Sequence, residues 1–273
     1  MGALPLLDFL PRQSQRAEGL IIGASAGAAA ARGRGDPAFL AWPDPETVLL
    51  HAARGCMEHG RFISQDLIRR LVADWAVHHG PGQSALRDVT HLMPRQSSGF
   101  IAAVAPICLR GRGRGRDTQQ DLHAVGMVFQ QPAADVEALE VAGRFIGRAL
   151  LGYSRRVVFE PLAWLGDAQV ARVAAGESLD LTDRTSLAAA LDQARAAVCA
   201  DVSWPVAIQA LAAVNARPAA FLFAGMMLGA LNGLKPFVRL PPGEDDEELG
   251  VLAQRLLHSS MAEDSPLGRS RSR

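Results

Sequence analysis

With 273 residues, 49% of them hydrophobic and only 5% aromatic, the chain can bury one sizeable core built mainly from Ala, Leu, Val and Ile, a helical composition. Its 28 Lys and Arg balance 28 Asp and Glu, so no net field favours nucleic acid or an anionic membrane, and a charged ligand must be recognised locally. Cys56, Cys108 and Cys199 are isolated, odd in number and without CxxC spacing, which argues against a disulfide framework and fits a reducing cytoplasm.

At the N-terminus, "LPLLDFLPRQ" is interrupted by Asp8, Pro11 and Arg12, and no later window reaches about 18 uninterrupted apolar residues, so neither a leader nor a membrane span is expected. The first predicted helix is "RAEGLIIGASAGAAAARG" from Arg16, where Gly23 and Gly27 share a face at i, i+4 spacing and permit close approach of another backbone. "DPETVLLHAARGCMEHG" then starts with Asp44 as N-cap and Pro45 at the first helical position, and closes near Gly60. From Ser64, "SQDLIRRLVADWAVHHG" sets Leu67, Leu71, Val72 and Trp75 on one stripe and ends at His78, His79 and Gly80.

An apolar segment, "GFIAAVAPICL", precedes "RGRGRGRD" at Arg110 to Asp117, which reads as a mobile loop with Asp117 capping the next helix. Further helices are predicted around Asp135–Gly152, Pro161–Ala175, Ser186–Val198, Pro205–Asn215, Phe221–Leu231 and Glu247–Ser260. No stretch alternates with period two, so the fold class is all-α. One domain over residues 1–261 is expected, followed by a polar, disordered tail over 262–273.

The order of these segments resembles the ADP-ribosylglycohydrolase family, the all-α fold that includes the dinitrogenase reductase-activating glycohydrolase. The family's opening pattern R-x-x-G-x-x-x-G-x-x-x-G-D-A is matched by Arg16, Gly19, Gly23 and Gly27, with Ala28 in place of the acid. Its T-D-D-T turn is matched by Asp44, Pro45, Glu46 and Thr47. The N-G-S-x-M-R-x-A-P segment is matched by "SSGFIAAVAP", which keeps Gly99, Ala105 and Pro106 but has Ala103 for arginine. A later T-H pair corresponds to Thr118 and Gln119. The closing A-V-N-x-G-G-D-x-D-T and its glycine-rich helix are matched by Ala213, Val214, Asn215, Gly225, Gly229, Ala230 and Gly233, but "ARPAAFLFA" between them is shorter and carries no carboxylate.

The resemblance implies a ribosyl-binding pocket, and in the family the carboxylates hold two magnesium ions. Asp44 and Glu46 alone cannot complete near-octahedral oxygen coordination, so no metal and no cofactor are expected. Candidate acids or bases are Asp44, Glu46 and Asp183; candidate ligand contacts are Thr47, Ser98, Gly99, Phe100, Thr118, Gln119, Asn215 and Arg217. Bland readings stand beside these. Asp44 is also a good helix cap and Glu46 a first-turn acid favoured by the helix dipole. Arg217 before Pro218 is also a turn residue, although it stands where the family has a metal-binding acid and could meet phosphate or Asp44.

Other polar features carry less. His78 and His79 lack the i, i+4 spacing of a helical metal pair, His51 and His59 suggest no metal, and the cysteines read as small core residues. The four arginines from Arg110 to Arg116 lack interleaved aromatics and argue for a solvated loop over nucleic acid. Three functions remain: a divergent, metal-free protein that binds a ribosylated or phosphorylated nucleoside-type small molecule or a protein partner; a metal-independent enzyme that cleaves or rearranges an N-ribosyl bond; and a structural or regulatory interaction protein whose old pocket is filled by Phe100, Phe221 and Phe223.

Overall fold

Small residues set the architecture of the chain, seen here in a computed structural model that describes residues 6–34, 43–79, 98–111, 115–159, 187–200, 203–237 and 246–264. Helix α1 (Leu6–Arg32) lies antiparallel on α10 (Pro218–Asn232), with Gly19 beside Gly229 and Gly233, Gly23 beside Gly225, and Gly27 beside Phe221. A Cβ on Gly27 would stand 2.6 Å from the Phe221 carbonyl oxygen and 2.7 Å from the Leu222 Cα, so the two backbones meet only because no side chain separates them. Every residue of α10 from Ala219 to Ala230 is buried. A helix that is apolar all round belongs at the centre of a bundle, and α10 also packs on α6 (Ala133–Leu150), α8 (Leu187–Ala200) and α9 (Trp204–Ala213).

Around this pair, α2 (Pro45–His59) begins at the Asp44 cap and ends at Gly60 in the left-handed conformation with φ 69°, as its sequence pattern predicts. It packs on α3 (Ser64–His79), which buries Leu67 and Leu71, and on the 3-10 turn Ser98–Ala103 that leads into the wholly buried α4 (Val104–Arg110). Next come α5 (Gly115–Val128), packed on α6, and the short α7 (Arg155–Val158). α11 (Asp246–Asp264) covers α1, α2 and α4. No strand occurs among the described residues, and the all-α class stands.

Several boundaries differ from the sequence reading. α1 reaches back to Leu6 through Pro11, near enough to the helix start that the proline forgoes a single bond to the Leu7 carbonyl. α10 starts at Pro218 rather than Phe221, because proline suits the first helical position. α5 begins inside the arginine–glycine run, so Asp117 sits in its first turn, where the helix dipole favours an acid, instead of capping it. Arg110 is not in a loop either: it closes α4 and is 4% exposed. The predicted helix over 161–175 lies outside the described residues, and α11 runs on to Asp264, into the segment expected as tail.

Candidate functional site

Four chain segments converge at one corner: the end of α1, the start of α2, the 3-10 turn at Gly99 and the start of α10. A Cβ at Gly99 would collide with the Pro43 carbonyl, so the turn can approach the α2 entry only with glycine there. The segments matched to the family in sequence are therefore neighbours in space. What differs is how their polar groups are employed.

Asp44 is used locally. Its Oδ1 accepts the backbone N–H of Glu46 at 2.9 Å and of Thr47 at 3.1 Å, and its Oδ2 accepts the Thr47 hydroxyl at 2.9 Å. One carboxylate thus satisfies two of the orphan donors at the α2 N-terminus and fixes the Thr47 side chain. Glu46 points at α1, where Arg32 Nη2 meets its Oε1 at 2.6 Å. Arg34 donates to Asn215 Oδ1 at 2.6 Å and lies 5.5 Å from the centre of the Phe221 ring. Asn215 itself adopts φ 47°, a left-handed turn that asparagine tolerates. Arg217 caps α10 without a side-chain bond of its own to the helix, and its backbone N–H donates to Gln193 on α8 at 3.1 Å.

These residues do not fit two magnesium ions. The family's acid after the third glycine is Ala28, 1% exposed; the α10 entry offers Asn215, Ala216, Arg217 and Pro218 and no carboxylate; and Glu46 already neutralises a guanidinium. Among the described residues, no group of three or more His, Cys, Asp and Glu is placed to hold a metal ion. The corner is cationic where the resemblance led one to expect acid.

The remaining sequence candidates scatter. Phe100 is 3% exposed and packs on Phe129 with ring centres 5.6 Å apart, which makes it a core residue. Phe221 and Phe223 are also buried. Thr118 and Gln119 lie on α5, where Thr118 donates to the Gly111 carbonyl at 2.9 Å; they line a cavity between α4, α5 and α6 that none of the corner residues lines. Ser98 opens the 3-10 turn, and Asp183 lies outside the described residues.

Arg16, the first residue of the opening motif, is a tie between elements. Its Nη1 donates to the Ala149 carbonyl at 3.2 Å, at the end of α6. Cys56 and Cys108 are buried, and burial pushes the Cys56 thiol up to about 12, so neither is a nucleophile; Cys199, expected in the core, is exposed on the last turn of α8. His51 and His59 face Asp74 and Asp66 at 3.7 and 3.4 Å. Sequence reasoning missed Arg32 and Arg34. The "ARGRG" that ends the first helix was the available signal, but basic residues at a helix C-terminus are so common that it did not stand out.

No protein-family model matches the chain, and no curated protein is significantly similar to it in sequence. In structure it is similar to a solved protein described as an ADP-ribosylglycohydrolase-related protein complex, with a TM-score of 0.70 and 17% identity over 92% of this chain and 100% of that one. The similarity establishes the fold, an ADP-ribosylglycohydrolase-type helical arrangement.

Proposed function

We propose that a chain built on this ADP-ribosylglycohydrolase-type fold binds a ribosylated or phosphorylated nucleoside-type ligand at the corner of α1, α2 and α10, without magnesium and without hydrolysing it. The observation that carries this reading is the employment of both acids: Asp44 serves three donors of α2 and Glu46 serves Arg32. A general acid or base must face substrate, whereas both Asp44 oxygens already accept hydrogen bonds within α2 and Glu46 is held through Oε1 by Arg32. Arginines gathered at the same corner supply positive charge for a phosphate in the region where the family uses metal. Thr47, Ser98, Gly99, Asn215 and Arg217 remain the proposed ligand contacts, with Thr118 and Gln119 more distant in the fold.

The test is calorimetric titration of ADP-ribose in the presence of a chelator against the native protein and Arg217→Ala. Saturable binding to the native protein, weakened about tenfold in the variant, is the expected result, since a charge-assisted contact contributes roughly 1.5 to 3 kcal/mol and solvent reduces it. Equal affinities would remove Arg217 from the site.

The burial of Phe100, Phe221 and Phe223 supports a second reading, a structural or regulatory protein whose former pocket is filled. Absence of ADP-ribose binding to either form would move the assignment there. No described helix is long and apolar enough to cross a membrane, and the free cysteines suit the reducing cytoplasm proposed as the protein's location.

A further inference from the structure

A cavity of about 450 Å3 lies between the end of α4, the first two turns of α5 and the second half of α6. Its size is that of a small-molecule pocket, roughly 300 to 1,000 Å3, and far more than an inorganic anion fills. Among the described residues, Arg116, Arg144 and Arg148 bring three guanidiniums to its wall and Glu140 a carboxylate.

Arg144 and Arg148 stand one helical turn apart on the same face of α6, where like charges repel unless something compensates them. Glu140, a turn before Arg144, compensates one, and it also faces His123 with Nδ1 to Oε1 at 3.5 Å. Arg148 is held in place by donating from Nη1 to the Val157 carbonyl at 3.1 Å. Arg144 is half-buried, and that burial, with Arg148 adding to it and Glu140 opposing, lowers its guanidinium to about 10. The rest of the wall is largely apolar, with Cys108, Leu122, Gly143 and Gly147. At Gly147 a Cβ would meet nothing within 4 Å, so the glycine leaves space facing open volume, unlike Gly143, whose Cβ position is already filled by Leu122.

We propose that this cavity is a binding site for an organic phosphate, whose phosphate monoester group is held by Arg116, Arg144 and Arg148 while its apolar body lies on Leu122 and over Gly147. A phosphate dianion suits a wall whose described residues include three arginines, since planar guanidiniums bind phosphate oxygens bidentately. The volume and the apolar wall call for a body of about the size of an aromatic ring. The site is separate from the corner of α1, α2 and α10 and does not depend on the nucleoside-type ligand placed there.

The test is calorimetric titration of the full chain with phenyl phosphate and, separately, with inorganic phosphate. Phenyl phosphate should bind one to one, at least tenfold more tightly than inorganic phosphate. Arg116→Gln, at an exposed position, and Arg144→Gln should each weaken it at least tenfold. Gly147→Phe keeps every arginine and puts a ring into open space, so its melting temperature should not fall, yet it should abolish binding. No binding of phenyl phosphate to the native protein, or undiminished binding to a folded Gly147→Phe, would overturn the proposal, as would equal affinity for the two phosphates. ADP-ribose titrated against Gly147→Phe separates this site from the corner. Unchanged affinity keeps two sites, whereas its loss would mean that both ligands share the cavity, leaving this proposal standing and removing the corner as the nucleoside site.

Discussion

At the scale of single residues, Asp44 carries the clearest lesson. An N-cap aspartate that receives two backbone N–H groups is worth about 1 kcal/mol, so Asp44→Ala should lower the denaturant midpoint accordingly and Asp44→Ser should restore most of the loss. Asp121 makes a second case. Burial chiefly, and the nearby Asp117, push its carboxyl up to about 6, while the Phe62 backbone N–H pulls the other way. An acid whose folded pKa is raised holds its proton more tightly when folded, so its contribution to stability is fully present below about pH 4 and is lost as pH rises toward and through about 6. Asp121→Asn should therefore raise the melting temperature at pH 7 and flatten its decline between pH 4 and 6. A pH profile unchanged from the native one would show that Asp121 is not responsible. The cap was legible in "DPET" because capping is local. Arg34 was not, because its partner Asn215 lies 181 residues away and nothing local announces it.

At the scale of elements, the α1–α10 contact is the one whose disruption should cost most. The Cβ of Gly225→Ala would strike the Gly23 carbonyl and that of Gly229→Ala the Gly19 carbonyl, backbone atoms that cannot rotate away. Overpacking of this kind costs typically 1 to 3 kcal/mol, and the helix-propensity gain of alanine, about 1 kcal/mol, offsets only part. Gly147→Ala, on α6 with open space around its Cβ, should show the propensity gain alone, and unfolding measurements on the three variants would rank them. The glycine spacing in α1 and α10 made this contact legible in advance, since residues four apart must lie on one face. The start of α5 was not legible: "RGRGRGRD" has the composition of a loop, and packing on α6 overrides it from Gly115 onward.

At the scale of the whole molecule, the order of four glycine- and polar-marked segments was enough to anticipate a helical fold that the structural comparison bears out. The chemistry of the corner was legible only in part. Missing carboxylates can be read from a sequence, but Arg34 meets Asn215 across 181 residues, and nothing in α6 alone shows that α4 and α5 wall in Arg144 and Arg148. With Asp44 and Glu46 committed within the fold, magnesium should leave thermal stability unchanged. A ligand present at one hundred times its dissociation constant and binding only the native state would add about 2.7 kcal/mol, a shift that a melting curve resolves readily.

The measurement closest to the central claim is the affinity for ADP-ribose determined twice on the same preparation, once in chelator and once in millimolar magnesium, with release of free ADP-ribose from an ADP-ribosylated substrate followed over hours in both. The account predicts the same dissociation constant in the two buffers and no turnover of the ADP-ribosylated substrate in either. Binding that appears only with magnesium and vanishes in Asp44→Ala, or substrate cleavage that magnesium switches on, would contradict it.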